Sequence, residues 1–440
     1  MSIELVTLIM FGGLMVCLMA GIPIAFSMAV IGVGITTMLW GYEGPKVLLY
    51  NTMTVITTLP YMALPLFIFM GVVLERSGIA DALFEMMYRW SGPVRGGIAM
   101  GTVVICTIFA AMTGVTGAAT VTMGLIALPA MLNRRYSKSL ALGTVAGPGT
   151  LGLLIPPSAV IIILAPIAHI SVGQTFMGGV FPGLLLAGLF IAYIGIRSFF
   201  QPHLAPAHGE KFTLRQKIIS TKAVILPGLV IIAVLGSIFL GMATPTEAAA
   251  VGAFACLIAV IIRRRLTLEL IKNTSFLTLE ITGMCMWIVF GAIAFSSAFN
   301  AAGGVDFISG LILGISANRW VVVLMTMVVV FFLGCFLDPL ATIFLVVPIA
   351  FPMVETLGFD LTWFAILFMI NVLMGTLTPP YGYQLFYLKS VAPPGVSIGD
   401  IYRSVLPFLG IMVLGMALTM LFPQIVTWLP EQMMEIRLGR

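Results

Sequence analysis

The sequence has very little charge, with 21 Lys and Arg and 16 Asp and Glu among 440 residues, or 8%. A soluble globular chain carries roughly 25% charged residues, so this one lacks the side chains that would cover a folded surface in water. Hydrophobic residues make up 60% of the chain. These two shares exclude a water-soluble protein and indicate that lipid is its solvent.

Motifs that would indicate an enzyme are also absent. The phosphate-binding pattern G-x-x-x-x-G-K-[ST] does not occur, and the three histidines form no H-E-x-x-H pair. The five cysteines stand singly in apolar runs without C-x-x-C spacing, which favours buried packing over disulfides or a metal site. We expect neither an enzyme nor, without a basic soluble domain, a nucleic-acid-binding protein. The first residues lack the positive charge of a secretory signal, which predicts a mature first helix.

Long apolar runs are present instead, without the alternation of apolar and polar residues that marks a transmembrane barrel. With 46 Gly and 25 Pro, they predict an all-α polytopic membrane protein, a helix bundle with close contacts and breaks. A helix needs about 20 apolar residues to cross the hydrocarbon. About ten crossings are predicted, at residues 5–20, 22–40, 60–75, 139–170, 175–196, 222–241, 245–262, 276–300, 361–391 and 405–425.

Two further apolar stretches, 96–132 and 319–354, are too long for one crossing and carry a break in the middle. We interpret both as re-entrant hairpins, in which two half-helices dip to the midplane and return to the side from which they came. Segments 45–58, 80–92 and 303–317 mix apolar and polar residues beside the crossings. They are typical of interfacial arms that brace a bundle.

Lys and Arg collect on one side of this topology. If residues 197–222 are cytoplasmic, 17 of the 21 cations lie inside, and only Lys46, Arg319, Arg437 and Arg440 lie outside. Cytoplasmic loops normally hold the excess of Lys and Arg, and treating either hairpin as a full crossing would reverse the sides downstream of it. The charge distribution therefore predicts that the N-terminus and the C-terminus both face outward.

The two halves of the chain resemble each other at an offset near 223. Ala119-Thr120 matches Ala341-Thr342, and Gly152-Leu-Leu-Ile-Pro-Pro157 matches Gly375-Thr-Leu-Thr-Pro-Pro380. Each half has five crossings and one hairpin, and an odd number of crossings inverts the second half in the membrane. We predict inverted repeats at 1–200 and 222–425, a cytoplasmic connector at 201–221 and a C-terminal tail at 426–440.

Inverted repeats with broken helices indicate a secondary transporter. The breaks are the hairpin tips at 112–120 and 335–342 and the Pro-Pro segments at 147–158 and 375–382. Paired prolines at the midplane should unwind a helix and free its carbonyls. Carbonyls with Ser and Thr hydroxyls can bind Na⁺, and half-helix N-termini favour an anionic substrate. The alternative is that the breaks are only kinks, whose free carbonyls accept hydrogen bonds from neighbouring helices and water.

Asp338 and Glu247 are the only acidic residues that this topology places well inside the hydrocarbon, where carboxylates are costly and usually functional. Asp338 lies at the second hairpin tip, which favours a cation site over a structural hydrogen bond. Glu247 follows Pro245 at a helix start, and there a structural capping role is favoured over gating. His169, near an outer helix end, is expected to form a local hydrogen bond and not to relay protons.

Polar side chains flank the second break and leave two interpretations open. They could bind substrate or join neighbouring helices. These residues are Asn371, Tyr381, Tyr383 and Gln384.

The segment Thr244-Pro-Thr-Glu-Ala-Ala-Ala-Val-Gly-Ala253, the Gly-x-x-x-Pro-Pro breaks and the length resemble the large membrane subunit of tripartite ATP-independent periplasmic (TRAP) transporters. The resemblance covers essentially the whole chain and extends, more distantly, to other ion transporters built on the same repeat. It implies an elevator-type secondary transporter in the bacterial inner membrane. Uptake would be driven by Na⁺, with no other cofactor or metal, and the substrate would be a C4-dicarboxylate, a sugar acid or a sulfonate.

The resemblance also implies two protein partners. One is a small four-helix membrane subunit, DctQ-like, and the other is a periplasmic substrate-binding protein, DctP-like. Because the sequence shows no fused four-helix segment before its first span, we expect the small subunit to be a separate polypeptide.

Carried over by position, the resemblance implies two Na⁺ sites with substrate contacts beside them. The first site comprises Thr113, Gly114, Thr116, Gly117, Gly147, Gly149 and Pro156. The second comprises Asp338, Ala341, Thr342, Gly375, Thr376, Thr378 and Pro379. The expected substrate contacts are Thr116, Thr120, Pro157, Ser158, Thr342, Pro380, Tyr381 and Gln384.

Two other functions stay open on the sequence. A stand-alone dicarboxylate or ion transporter of the same architecture would work without a binding protein. A channel would not need inverted hairpins, and its flux would neither saturate nor depend on a cation gradient.

Overall fold

The chain forms α-helices joined by short links throughout the residues described by a computed structural model, which are 2–91, 94–114, 116–207, 212–315 and 318–438. The first half contains ten helices: α1 (Ile3–Met19), α2 (Ile24–Trp40), α3 (Gly44–Ile56), α4 (Leu59–Arg76), α5 (Ile79–Ser91), α6 (Gly97–Thr113), α7 (Thr116–Leu132), α8 (Lys138–Gly149), α9 (Ala159–Ile167) and α10 (Val172–Phe200).

The second half contains ten more: α11 (Leu214–Phe239), α12 (Pro245–Ile262), α13 (Leu268–Ala301), α14 (Gly304–Ile315), α15 (Arg319–Gly334), α16 (Pro339–Thr356), α17 (Leu361–Leu377), α18 (Tyr383–Val391), α19 (Ile398–Leu421) and α20 (Gln424–Arg437).

Eight helical segments of the described chain are long and apolar enough to cross a membrane. They are Ile24–Ile56, Leu59–Arg76, Val172–Phe200, Leu214–Phe239, Pro245–Ile262, Leu268–Ala301, Pro339–Thr356 and Ile398–Leu421. Their outer faces carry exposed apolar side chains such as Val30, Ile232 and Phe254, as lipid contact requires. The chain is therefore an all-helical, multi-pass membrane protein.

The two predicted broken helices are interrupted at their proline pairs. Residues 150–158 separate α8 from α9 and include a 3-10 turn at Thr150–Leu153, and residues 378–382 separate α17 from α18. The Pro156–Pro157 and Pro379–Pro380 peptide bonds are both cis. These breaks divide two of the ten predicted crossings into shorter helices, which is one reason why fewer single helices have the length of a span.

Helices of the first half pack on helices of the second half in matched pairs. The contact of α2 with α13 matches that of α4 with α12. The contact of α8 with α19 matches that of α10 with α17, and the contact of α7 with α18 matches that of α9 with α16. The α2–α13 contact is very close, because a Cβ atom on Gly32 would lie 2.5 Å from the Ala294 carbonyl oxygen. Small residues of this kind let membrane helices approach backbone to backbone.

Two differences from the sequence-based expectation concern the connector and the C-terminal tail. α11 begins at Leu214, where a Thr213–Gln216 capping box starts the helix, so the predicted connector 201–221 is shorter. The residues predicted as a tail form most of α20, which packs on α10 and α17. α20 buries Val426, Pro430 and Met433 on one face, an amphipathic pattern that a search for apolar runs misses.

Candidate functional site

The tip of the first hairpin, between α6 and α7, touches the first proline break directly. Gly114 has a left-handed φ of +61°, and a Cβ atom at this position would lie 2.4 Å from the Pro157 carbonyl oxygen. Ala159 donates its backbone N–H to the Gly114 carbonyl at 3.3 Å. Only glycine fits here, both for its φ and for the close approach of the two backbones.

Hydroxyl oxygens lie at this tip. The buried Thr113 hydroxyl donates to the Phe109 carbonyl at 2.9 Å, and a hydroxyl that donates its proton keeps two oxygen lone pairs. Gly117 lies against the Tyr387 ring of α18. Thr116 is predicted for the first Na⁺ site and for the substrate contacts; it begins α7, but its side chain lies outside the described part of the structure.

One contact joins the first break, the first hairpin and the second break. A Cβ atom on Gly149 would lie 2.0 Å from the Thr120 hydroxyl oxygen, and the Gln384 side-chain amide donates to that same oxygen. All three residues are buried. Gly147 faces away from this contact and packs on Phe408 of α19.

Ser158 serves as the N-cap of α9. Its hydroxyl oxygen accepts the Ile161 N–H at 3.4 Å, and the hydroxyl donates to the Leu153 carbonyl at 2.7 Å. These bonds hold the unwound segment that contains Pro156 and Pro157. The structure therefore gives this predicted substrate contact a role in fixing the break.

Asp338 lies at the tip of the second hairpin as the N-cap of α16. Its two carboxylate oxygens accept the N–H groups of Leu340 at 3.2 Å and Ala341 at 3.4 Å. The Thr342 hydroxyl donates to the Asp338 carbonyl at 3.0 Å. The positive end of the α16 dipole stabilises this half-buried negative charge, and each carboxylate oxygen retains a further acceptor direction.

The second tip touches the second break as the first tip touches the first. Tyr381 donates its backbone N–H to the Cys335 carbonyl at 3.2 Å. A Cβ atom on Gly375 would lie 2.7 Å from the carbonyl carbon of Gly334, so α15 and α17 meet backbone to backbone. Pro379 and Pro380 lie in this break, and the Pro380 carbonyl accepts the Tyr402 hydroxyl at 3.3 Å.

Threonine hydroxyls also line the second break. Thr376 donates to the Leu373 carbonyl at 2.7 Å, and Thr378 donates to the Met374 carbonyl at 2.8 Å. The oxygen groups at the second tip and break are thus these hydroxyls, the unwound carbonyls and the Asp338 carboxylate. Unwound carbonyls of this kind coordinate Na⁺ in secondary transporters.

Comparison with known families identifies the chain. The sequence model of the DctM component of the tripartite ATP-independent periplasmic transporter matches residues 11–425. The chain belongs to this family. It is therefore the large permease component of a TRAP transporter and not an enzyme.

Relatives match this DctM-family permease over nearly all of its length. The C4-dicarboxylate TRAP transporter large permease protein DctM of Rhodobacter capsulatus is 29% identical over 96% of this chain and 98% of that protein. The isethionate TRAP transporter permease protein DctMQ of Oleidesulfovibrio alaskensis is 29% identical over 95% of this chain and 65% of that protein.

A solved structure shares the fold of the permease. The YdaH transporter of Alcanivorax borkumensis has a TM-score of 0.64 over 94% of this chain and 98% of that chain, at 14% sequence identity.

Glu247 has the capping role that the sequence favours. It is exposed in the first turn of α12, which Pro245 begins. Its carboxylate accepts the Thr244 N–H at 2.7 Å and the Thr244 hydroxyl at 2.9 Å, while Glu247 N–H donates back to that hydroxyl at 3.3 Å. This reciprocal capping box confirms the structural interpretation.

Glu75 is the acidic residue that the sequence analysis missed. It is half-buried in the last turn of α4, hydrogen-bonds to Thr122 of α7, and lines a cavity of about 260 Å³ with Thr113 and Tyr387. Gly71, one turn earlier, would place a Cβ atom 2.8 Å from the Thr113 Cα atom. The i,i+4 spacing of Gly71 and Glu75 was the signal that both face the hairpin.

The remaining polar residues that could bind substrate are either packed against other helices or exposed. The Asn371 amide donates to the Met327 carbonyl of α15, which is a helix–helix contact. Tyr383 and Tyr387 pack edge to face, and Tyr381 is 49% exposed. His169 is exposed after α9 with a left-handed φ of 54°, and it lines a cavity described below.

Proposed function

We propose that this permease is a Na⁺-coupled symporter that takes up a small organic acid by an elevator mechanism. The observation that carries the proposal is the matched construction of the two tip–break contacts. Each hairpin tip accepts a backbone N–H from the residues just after a proline pair, Gly114 from Ala159 and Cys335 from Tyr381. Each therefore holds unwound backbone and threonine hydroxyls at one point of the bundle.

Inverted repeats at 1–200 and 222–425 are part of this proposal. The matched packing pairs support it, because α2 on α13 has its counterpart in α4 on α12, and α8 on α19 has its counterpart in α10 on α17. A two-fold relation between halves produces such pairs. In this arrangement α6–α7 and α15–α16 are the re-entrant hairpins, entering from opposite sides.

The cation sites would form where tips and breaks meet. At the first, Thr113, Gly114 and Gly149 supply a hydroxyl and backbone oxygens. At the second, Asp338 supplies the one carboxylate, with Thr342 and Thr378 beside it. Na⁺ binding would be coupled to transport because the hairpins could move through lipid only after Na⁺ has paired with these oxygens. Exposing unpaired carbonyls to lipid costs several kcal/mol each.

The substrate would bind between the two tips, beside the Thr120–Gln384 contact. This contact brings elements of both halves together, as an interface site requires. Two relatives are named for C4-dicarboxylates and isethionate, both small organic anions. The N-terminal ends of α7 and α16 at the tips favour such an anion.

Two protein partners complete the proposal. The name DctMQ of the isethionate relative, of which this chain covers 65%, supports a DctQ-like small subunit as one partner. A DctP-like periplasmic binding protein would deliver the substrate. The complex would lie in the bacterial inner membrane with both termini of this chain on the periplasmic side.

Proteoliposomes test this function. The permease is reconstituted with the small subunit, and uptake of labelled succinate and isethionate is measured with the loaded binding protein and an inward Na⁺ gradient. We expect saturable accumulation that disappears when any one of the three is omitted. Accumulation by this chain alone would establish the stand-alone transporter, and unsaturable flux without a gradient would establish a channel.

A further inference from the structure

A second cavity lies away from the tip–break contacts. It has a volume of about 600 Å³ and lies between α3, α4 and α13 on one side and the end of α9 and Phe344 of α16 on the other. Asn51 and Ser297 line it and also line an adjoining cavity of about 320 Å³ beside Trp40 and Asn300. The two cavities therefore lie side by side along the arm α3.

An unpaired phenol lines this cavity. Tyr61 of α4 is only 4% exposed, and its hydroxyl has no hydrogen-bond partner among the described residues. A buried polar group without a partner costs about 1–3 kcal/mol, and buried hydroxyls normally have one. A hydroxyl that the fold leaves unpaired at a cavity wall indicates that a ligand atom supplies the missing partner.

Asn51 and Ser297 add further donors to the wall. The Asn51 amide donates to the Ser297 hydroxyl oxygen at 3.3 Å, which leaves the second amide N–H and the Ser297 O–H available to a ligand. The hydroxyls of Thr54, Thr58 and Ser296 instead donate to backbone carbonyls. His169 lies at the same wall, and among the lining residues there is no Asp or Glu. Available donors without a carboxylate fit an anion, because each carboxylate oxygen of a ligand can receive a hydrogen bond without charge repulsion.

The position of the cavity relates it to the hairpins. Phe344 follows Asp338 by six residues, about 9 Å along α16 at 1.5 Å per residue. The ends of α9 and α13 and the arm α3 also line the cavity, and the distribution of Lys and Arg places them at the outer end of the bundle. The cavity therefore lies between the outer surface and the tip of the second hairpin.

We propose that this cavity is an outer binding site for the carboxylate group of the transported acid, occupied before the substrate reaches the hairpins. Tyr61 donates the anchoring hydrogen bond, and the Asn51–Ser297 pair supplies the others. The inference rests on the proposed function, because a carboxylate passes this cavity only if the permease takes up an organic acid.

Tyr61→Phe tests the anchor in the complete reconstituted transporter with succinate as the probe. Removing a hydrogen bond to a charged group costs about 1.5–3 kcal/mol, so KM should rise about tenfold or more. The Na⁺ concentration for half-maximal uptake and the maximal rate should stay as in the wild type. Asn51→Asp should raise KM further, because it places a negative charge opposite the carboxylate.

The matched control is Tyr50→Phe on the arm α3, where the tyrosine is 74% exposed, and it should leave KM unchanged. Thermal unfolding in detergent should be unchanged or slightly higher for Tyr61→Phe, since the hydroxyl it removes has no partner in the protein. A KM within twofold of wild type for both Tyr61→Phe and Asn51→Asp would overturn the outer site. Wild-type liposomes that fail to accumulate succinate or isethionate would instead contradict the proposed function and remove the basis of this inference.

Discussion

Among single residues, Asp338 combines two tasks that can be separated chemically. Its carboxylate caps α16 by accepting two backbone N–H groups, and it is the one acidic group at the hairpin tips. Capping needs only an oxygen acceptor, which asparagine also provides, whereas binding a cation at the tip depends on the negative charge. A substitution that keeps the cap and removes the charge therefore isolates the second task.

Asp338→Asn should raise the Na⁺ concentration for half-maximal uptake by about tenfold or more, because a charged ligand group contributes about 1.5–3 kcal/mol. The unfolding temperature should stay close to that of the wild type, since the asparagine oxygen still accepts one of the two capping N–H groups. Uptake against varied external Na⁺ and a thermal melt in detergent measure the two quantities.

Asp360→Asn is the matched control for this substitution. Asp360 caps α17 by accepting the Trp363 N–H at 2.6 Å, away from the tip. It should leave the Na⁺ dependence unchanged. If Asp338→Asn behaves in the same way, Asp338 is a capping residue only.

Among the elements, the hairpins and broken helices are joined by backbone contacts that only glycine permits. Gly114 meets Pro157, Gly71 meets Thr113, and Gly375 meets Gly334. At these points a helix is separated from its neighbour by no side chain at all, so one methyl group must displace backbone atoms. Packing of this kind makes each hairpin and its broken helix one mechanical unit.

Gly375→Ala should separate α15 from α17 and abolish most uptake, because its Cβ atom would lie 2.7 Å from a backbone carbon. Overpacking in such a contact costs about 1–3 kcal/mol, so the unfolding temperature should also fall. Initial uptake rates and thermal melts on the reconstituted and the detergent-solubilised protein measure these effects.

Gly410→Ala in α19 provides the comparison, because a Cβ atom there meets nothing within 4 Å. Alanine is a better helix former than glycine, so this variant should be as stable as the wild type or slightly more stable. Equal loss of uptake in both variants would show that the Gly334–Gly375 contact has no special role.

At the scale of the whole molecule, the sequence predicts the order of elements better than the contacts between them. The interfacial arms, predicted at 45–58, 80–92 and 303–317, are α3, α5 and α14, because changes in hydropathy mark their ends. The breaks follow from proline chemistry, which is local. The helical part of the predicted tail escaped detection because the stability of α20 depends on its packing against α10 and α17.

For the candidate site, too, the sequence predicts individual residues better than the contacts between them. Asp338 and the threonines at the tips could be predicted because they lie inside apolar runs. The Thr120–Gln384 contact joins residues 264 positions apart, and no local sequence pattern predicts such a pair. Glu75 was missed because the rotation of α4 decides whether it faces lipid, water or a hairpin.

The sidedness of the molecule is a prediction from charge alone, and cysteine labelling can check it. Cys17 is replaced by serine, since the other four native cysteines are buried. Glu431→Cys on α20 should then react with a membrane-impermeant maleimide in intact spheroplasts. Arg215→Cys at the start of α11 should react only after the membrane is opened. The reverse pattern would invert the topology and place the Tyr61 cavity on the cytoplasmic side.

The length of α13 has a consequence for how the bilayer meets this protein. Thirty-four residues extend about 51 Å at 1.5 Å per residue, against a hydrocarbon thickness of about 30 Å. Even a tilt of about 40°, near the upper limit for membrane helices, leaves about 9 Å outside the hydrocarbon. Glu269, Lys272 and Asn273 occupy the first turns, so the excess belongs in the headgroup layer at that end. Hydrophobic mismatch thus limits how deeply the N-terminal turns of α13 can enter the hydrocarbon.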